Sequence, residues 1–247
     1  KINDKPSKKV KILWGGLIVL MGCLYIFFNG HKNENYQPLI DEENSSKNTH
    51  TAKIIEINFK DSTSMKSFPV DSLVIANKLD SSSILKWNNH LVFLQNNILF
   101  HDKFINDLKS LSIGNVKTYT DVIYEFDRSS CNDFLSDTET KQHLLSVNLV
   151  KDKEKQQEYI NYHTSQKDDW PELSQGFCNE GFQSLTMYKQ GRQIMLLITI
   201  PRENDLGEMS AKNSKNNPKV KEWDDIMYNY QEGLPGTKQN QKWVLFE

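Results

Sequence analysis

The sequence predicts an α+β protein made of two related domains behind one membrane-spanning helix. An uninterrupted apolar run fills residues 12–28 of the 247-residue chain. After a polar stretch, residues 52–126 carry strand and helix patterns in the order strand, helix, helix, strand. The chain repeats this order from residue 144 onward. The repeat indicates a diverged internal duplication, and the length of the chain suits two small domains.

The N-terminal region has the pattern of a single-pass membrane anchor. Residues 1–11 form a basic tail with five lysines and one acid, and the apolar run 12–28 is about the shortest that spans a bilayer. Lysines before the span predict a cytoplasmic N-terminus and a body outside the cytoplasm. Two alternatives are a cleaved signal peptide and a lipoprotein signal ending at Cys23. Residues 29–51 are polar, without apolar periodicity, and predict a flexible tether.

Charge and cysteine content exclude several classes of partner. The chain has 30 basic and 32 acidic residues and a net charge of −2, so no basic field indicates nucleic acid. The histidines and cysteines show no metal-ligand spacing, and we expect no metal site. Cys131 and Cys178 are able to pair outside the cytoplasm, but we expect two unpaired thiols.

The first half alternates short strand and helix patterns. Apolar residues alternate with polar ones in the strand segments and recur at intervals of three or four in the helical ones. The expected elements are strands at 52–59 and 73–79, a helix with apolar positions Ile84, Trp87, Leu91 and Leu94, a helix at 100–111, and a strand at 116–126.

The second half opens in the same way and ends in a helix and a short strand. A turn around Gly191 joins two strands of an antiparallel hairpin. The expected elements are a strand at 144–150, helices at 153–163 and 171–178, hairpin strands at 183–188 and 193–200, a polar connection at 201–216, a helix at 217–230 and a strand at 243–246.

The most informative stretch brings a phenol, an imidazole and an indole together. Asp152 is a suitable N-cap for the helix that carries the first two. Tyr159 and His163 are four residues apart and therefore share one face of that helix. Trp170 follows a polar loop, and Pro171 suits the first position of the next helix. By itself, the spacing of Tyr159 and His163 is more typical of ordinary core or surface residues than of a functional site.

Several motifs of the second half occur in the order found in one family. On these landmarks, roughly residues 144–247 resemble the L-rhamnose mutarotase family. The distance from the histidine to the tryptophan is a few residues longer than in the shortest members. The landmarks are the strand at 144–150, the EYxxxH helix with Glu158, Tyr159 and His163, the WPE element at 170–172, the hairpin around Gly191, the helix at 217–227 and the segment KWVLF at 242–246.

The resemblance implies a small ferredoxin-like domain of the dimeric α/β-barrel type. It also implies interconversion of the α and β anomers of deoxysugars such as L-rhamnose. Mutarotation through the open-chain aldehyde needs two proton-transfer groups and no cofactor. On the matching positions, His163 is expected to be the principal acid/base and Tyr159 its partner. The residues expected to shape the monosaccharide pocket are Trp170, Trp223, Met227 and Tyr188.

The first half, residues 52–135, is interpreted as a degenerate ferredoxin-like domain beside a mutarotase-like domain at 142–247. If the motif helices are superimposed, His90 falls near the place of His163. The first half would then replace the second subunit of the family's dimer, giving a pseudo-dimer within the chain. The alternatives are a homodimer and an unrelated first α/β domain.

Two functions follow from this interpretation. The first is a membrane-anchored sugar mutarotase acting on L-rhamnose-like or L-fucose-like deoxysugars. The alternative is a non-catalytic sugar-binding or partner-binding module of the same fold.

Overall fold

The protein contains two antiparallel β-sheets, of four and six strands, with helices packed on both. The structure is a computed structural model and describes residues 54–77, 79–94, 102–111, 114–132 and 139–247. The predicted basic tail, apolar run and tether, residues 1–51, lie outside the described residues.

The four-stranded sheet is built from residues 54–119 in the order β-α-β-β-α-β. Its strands lie side by side in the order second, third, first, fourth. Two short helices connect its first two strands. The elements are β1 (Ile54–Phe59), α1 (Ser62–Lys66), α2 (Val70–Asn77), β2 (Ile84–Trp87), β3 (His90–Leu94), α3 (Asp102–Ser110) and β4 (Gly114–Tyr119).

The six-stranded sheet contains a second β-α-β-β-α-β unit. The elements are β5 (Asp121–Asp127), β6 (Thr140–Leu149), α4 (Lys153–Thr164), α5 (Gln166–Asp169), α6 (Pro171–Glu180), β7 (Ser184–Gln190), β8 (Gln193–Pro201), α7 (Leu206–Asn216), α8 (Pro218–Tyr228), β9 (Gln231–Glu232) and β10 (Val244–Phe246). The strand order is β10-β6-β8-β7-β5, and β9 pairs with β6.

The two units share one strand order. Leaving out β5 and β9, each sheet places its fourth strand beside the first, the first beside the third, and the third beside the second. This arrangement is compatible with the expected ferredoxin-like fold, in which two βαβ halves are split and interleaved. The predicted α+β class is therefore confirmed.

The first half differs from the predicted elements in its middle. Most of the predicted strand at 73–79 belongs to helix α2, and the predicted helix from Ile84 to Leu94 is the hairpin β2–β3. Asn88 turns the chain with a positive φ of 48°, and Trp87 pairs with His90. Short apolar runs fit the periodicity of a helix and that of a strand. In the folded protein, the pairing of β3 with β1 stabilises the strand conformation. The expected superposition of His90 on His163 is wrong, because His90 lies on a strand.

Two other segments also differ from the prediction. The expected single strand at 116–126 is divided into β4 and β5, which belong to different sheets. The expected polar connection at 201–216 contains helix α7. Asp205 caps that helix by accepting a hydrogen bond from the Glu208 backbone N–H at 2.9 Å. The helix buries only a narrow apolar stripe. The rest of its sequence is polar and therefore gave no clear helical pattern.

The two sheets pack face to face, with helices on their outer faces. Side chains of successive strand residues point to opposite faces. Ile55 and Ile57 therefore pack under the helices of the first unit. Ile54 instead joins Tyr188 and Met195 in the core between the sheets.

A buried polar cluster also links the sheets. The fully buried Glu56 carboxylate accepts hydrogen bonds from the Tyr119 hydroxyl at 2.7 Å and from Gln193 Nε2 at 3.0 Å. His90 Nδ1 lies 2.7 Å from the same carboxylate, and Lys117 Nζ lies 3.5 Å from it. Because Gln193 belongs to the second sheet, this carboxylate joins the two halves of the chain.

The predicted single-pass membrane localisation requires correction. Across the described parts of the chain, no helix is long and apolar enough to cross a bilayer. The longest of these helices, α4, has 12 residues. At about 1.5 Å per residue it reaches about 18 Å, whereas the hydrocarbon core is about 30 Å thick.

Cys131 and Cys178 form a disulfide, so the expectation of two unpaired thiols is wrong. Their Cα atoms lie 5.7 Å apart although 47 positions separate them in the chain. The bond joins the segment after β5 to helix α6. The nearby Arg128 guanidinium donates a hydrogen bond to the Cys178 carbonyl at 3.0 Å. Sequence spacing did not reveal the pair because the contact is tertiary.

Candidate active site

Helix α4 carries the central residues of the site, and it forms as the sequence predicted. Asp152 caps it by accepting hydrogen bonds from the backbone N–H groups of Glu154 and Lys155. The cap satisfies donors that have no partner within the helix. Tyr159 and His163 lie one turn apart on its buried face. The helix therefore presents a phenol and an imidazole to the interior.

His163 is held in one orientation by its surroundings. Its Nδ1 lies 2.8 Å from the Tyr159 carbonyl oxygen. Since a carbonyl only accepts hydrogen bonds, Nδ1 carries the proton, and in the neutral ring Nε2 keeps the lone pair. The imidazole also packs against the rings of Tyr159 at 4.2 Å and Trp223 at 5.1 Å. Its side chain is therefore oriented as a proton acceptor.

Burial controls the protonation of both residues. Desolvation lowers the pKa of His163 to about 4, although the hydrogen bond to the Tyr159 carbonyl opposes the shift. The imidazole is consequently neutral at pH 7. Burial also raises the pKa of the Tyr159 phenol, opposed by a hydrogen bond with the Gln231 side chain. Tyr159 therefore keeps its proton.

These side chains line a partly open cavity of about 190 Å³ between the second sheet and its helices. The volume is far above the roughly 10–15 Å³ that a single water requires. Most of the lining is apolar, and its polar groups come from both helices and strands. The predicted site residues that it contains are Tyr159, His163, Trp223 and Met227.

Trp170 lies beside the cavity without lining it. Its ring packs against Trp223 with a centroid distance of 5.5 Å. The Lys219 ammonium lies 5.2 Å from the Trp170 ring centroid. Pro171 begins helix α6 directly after it, as expected. Trp170 therefore supports the tryptophan that lines the cavity.

Tyr188 lies on the face of the sheet opposite the cavity, so it does not line the pocket that it was expected to shape. Successive residues of β7 point to opposite faces, so Met187 lines the cavity and Tyr188 packs in the core between the two sheets. The alternation that places one residue at the site excludes its neighbour.

Sequence reasoning missed several polar residues of the cavity. Tyr124 comes from β5, and Gln166 comes from the short helix α5 after the motif. Asp224 directly follows Trp223 on helix α8. The sequence feature that could have identified Asp224 is its position four residues after Val220, in a helical stripe that is otherwise apolar.

Asp224 has an unusual environment for a carboxyl group. Burial raises its pKa to about 8, Asp225 adds to the rise, and Lys221 opposes it. Asp224 Oδ2 and Gln166 Oε1 are two of several side-chain atoms in the described part of the chain that are buried without a hydrogen-bond partner. Histidine, cysteine and acidic side chains form no cluster able to hold a metal within the described ranges.

The fold and the cavity define a class of protein: a small α+β domain with a mostly apolar cavity that contains an imidazole and a carboxyl group. Residues 143–247 match the family model described as L-rhamnose mutarotase. This C-terminal part of the chain therefore belongs to the L-rhamnose mutarotase family, as the ordered motifs predicted. The match supports a carbohydrate isomerase of the sugar-mutarotase class at the family level.

Two curated proteins resemble part of the chain. An L-fucose mutarotase of Xanthomonas campestris pv. campestris is 26% identical over 74 residues, which are 30% of this chain and 58% of that protein. A UPF0734 protein of Dictyostelium discoideum is 27% identical over 101 residues, 41% of this chain and 78% of that protein. The chain thus spans little more than half the length of the L-fucose mutarotase that it matches.

Proposed function

We propose that this protein is a mutarotase for deoxysugars of the L-rhamnose or L-fucose type. The observation that carries the proposal is the cavity in which His163, oriented by Tyr159, faces a mostly apolar lining. The indole of Trp223 suits the C–H face of a pyranose. The apolar lining suits the methyl group that a 6-deoxysugar carries in place of a hydroxymethyl group.

His163 acts as the principal proton-transfer group in this proposal. Its neutral imidazole takes the proton of the anomeric hydroxyl while the bond from C1 to the ring oxygen breaks. The open-chain aldehyde then turns about its C1–C2 bond and recloses to the other anomer. Tyr159 is the partner that packs on the imidazole and offers its hydroxyl as a hydrogen-bond donor. Groups of this kind contribute about 10²- to 10⁴-fold.

The proposal includes a single working site in each chain. The first sheet covers the face of the second sheet opposite the cavity, through a shared core and the Glu56 cluster. We therefore propose that residues 54–119 replace the second subunit of a dimer. Sedimentation equilibrium of the chain should return the 28.7 kDa monomer mass. A dimer mass would overturn this part of the proposal.

A sugar-binding module without turnover is the second candidate. The position of Trp170 outside the cavity lining favours it, because one expected substrate contact is absent. The low pKa of His163 also makes its imidazole a weak base.

Anomer exchange tests the proposal directly. Magnetisation-exchange NMR would follow the α and β anomeric protons of L-rhamnose and then L-fucose with the full chain. Acceleration that disappears in His163→Ala is the expected result. Folded wild-type protein that binds a sugar without accelerating exchange would favour the binding module.

A further inference from the structure

A half-buried carboxyl group, with one oxygen shielded from solvent, shares the cavity with His163. Asp224 lies on helix α8, between two residues that also line the cavity, Trp223 and Met227. Asp224 Oδ2 is shielded from solvent, and no described group donates a hydrogen bond to it. An unsatisfied buried polar atom is costly to the fold. An atom of this kind at a cavity wall indicates a partner that arrives with the ligand.

The neighbouring acid differs in its partner and its position. Asp225 is the next residue on the helix, and its Oδ2 accepts a hydrogen bond from Lys221 Nζ at 2.8 Å, although its Oδ1 is also buried without a partner. It does not line the cavity. One of the two adjacent carboxyl groups is therefore held by a lysine on the helix surface, and the other faces the space where a sugar would lie.

The protonation of Asp224 suits a proton donor. Burial raises its pKa to about 8, so the carboxyl is protonated at neutral pH. The titratable groups that share the cavity with it are Tyr124, Tyr159 and His163. His163 is neutral, and both phenols have a raised pKa and stay protonated. No charge in the cavity lining, among the described residues, opposes the neutral carboxyl.

We propose that Asp224 is the second proton-transfer group of the mutarotase site, acting on the ring oxygen while His163 acts on the anomeric hydroxyl. This assignment rests on the proposed function. It gives Tyr159 an orienting role and explains why a carboxyl group lines the same cavity as the imidazole.

The proposed step is balanced in protons and electrons. As the anomeric hydroxyl transfers its proton to His163 Nε2, the O1 electron pair forms the carbonyl. The bond between C1 and the ring oxygen breaks, and its electron pair stays on that oxygen, which receives the Asp224 proton. After rotation about C1–C2, the new hydroxyl returns its proton to the Asp224 carboxylate as it bonds to C1. The imidazolium returns the other proton to O1.

Asp224→Asn provides the decisive variant, because the amide keeps the size of the side chain and cannot transfer a proton. In the anomer-exchange assay with L-rhamnose and L-fucose, we expect kcat to fall about 10²- to 10⁴-fold with little change in KM. Asp225→Asn is the matched control on the same helix and should keep the wild-type rate at pH 6. Circular dichroism and melting curves establish that both variants are folded.

The pH profile separates proton transfer from a structural role. Wild-type exchange should decline as the pH rises through about 8, where Asp224 loses its proton. The residual exchange of Asp224→Asn should lack this decline. An unchanged rate in folded Asp224→Asn, with active wild type, overturns the inference and leaves the proposed function intact.

A measurement independent of turnover tests the same group. In protein labelled with ¹³C at the aspartate carboxyl carbon, the Asp224 signal is identified by its loss in Asp224→Asn. We expect its titration midpoint near 8 and a shift of the signal when L-rhamnose or L-fucose is added. A midpoint near 4 overturns the inference even if the wild type is active. Absence of wild-type exchange overturns the inference together with the proposed function.

Discussion

The two halves of the molecule share one strand order but bury their carboxyl groups on different faces of their sheets. In the first half, Glu56 lies between the sheets, where His90 and Tyr119 bind it. In the second half, Asp224 lies among the helices at a cavity, and its Oδ2 has no described partner. The pKa values diverge accordingly, since a satisfied carboxylate stays charged and an unsatisfied one keeps its proton.

The electrostatics of Glu56 illustrate this difference. Burial alone would raise its pKa, but the hydrogen bond with His90, the charge of Lys117 and the hydrogen bond from Tyr119 together hold it at about 2. For Asp224, burial dominates and the pKa rises to about 8. Complete pairing indicates a structural role, whereas incomplete pairing beside a cavity indicates chemistry.

The largest expected effect distinguishes the two buried histidines. His163→Ala should lower the rate of anomer exchange by about 10²- to 10⁴-fold, because the proton acceptor is lost. His90→Gln should keep the wild-type rate per folded molecule, because His90 lies in the interface between the sheets. Magnetisation-exchange NMR with both variants measures this directly. A rate loss in His90→Gln equal to that in His163→Ala would contradict the division of roles.

Glu56→Ala should give the largest loss of stability. It leaves the donors of His90, Tyr119 and Gln193 buried without their acceptor, and breaking such a buried network costs about 3–5 kcal/mol. Urea unfolding followed by circular dichroism measures the free energy of unfolding. Glu125→Ala, an exposed acid on strand β5, is the control and should have little effect.

Glu56 also predicts how stability depends on pH. Its pKa is about 2 in the folded state, below the ordinary value of 4.5. Its stabilisation is therefore fully present above pH 4.5 and is lost as the pH falls toward 2. The Glu56→Ala variant should lack this part of the acid dependence. An identical acid dependence in wild type and variant would show that other groups cause it.

The disulfide should stabilise the second half by about 2–4 kcal/mol. Replacing Cys131 and Cys178 together with serine removes a crosslink that joins helix α6 to the segment after β5. The double variant should unfold at lower urea concentration than the oxidised wild type. Reductant should destabilise the wild type and leave the variant unchanged. Equal destabilisation of both by reductant would show that the disulfide is not the cause.

The smallest expected effect is the cost of keeping Asp224 in the cavity. A carboxyl group whose pKa is raised to about 8 destabilises the fold as the pH rises from about 4 through 8, because only the unfolded chain ionises easily. Between pH 5 and pH 7, the wild type should lose about 2–3 kcal/mol relative to Asp224→Asn. Urea titrations at both pH values measure the difference, and parallel curves would contradict it.

Local sequence patterns were sufficient for much of the second half. The cap at Asp152, the spacing of Tyr159 and His163, Pro171 at a helix start and the turn at Gly191 each depend on neighbouring residues. These features recur at the predicted places, and the ordered motifs indicated the family. The same patterns were insufficient in the first half, where short apolar runs such as 84–94 fit a helix and a hairpin equally well.

Contacts between distant residues determined the rest. Tertiary packing determines the pairing of Cys131 with Cys178, the placement of β4 and β5 in different sheets, and the position of Tyr188. The proposed role of Asp224 belongs to the same group, because its raised pKa comes mainly from the burial that folding produces. The sequence therefore specified which chemical groups and local elements are present, whereas burial and packing decided which of them face the cavity.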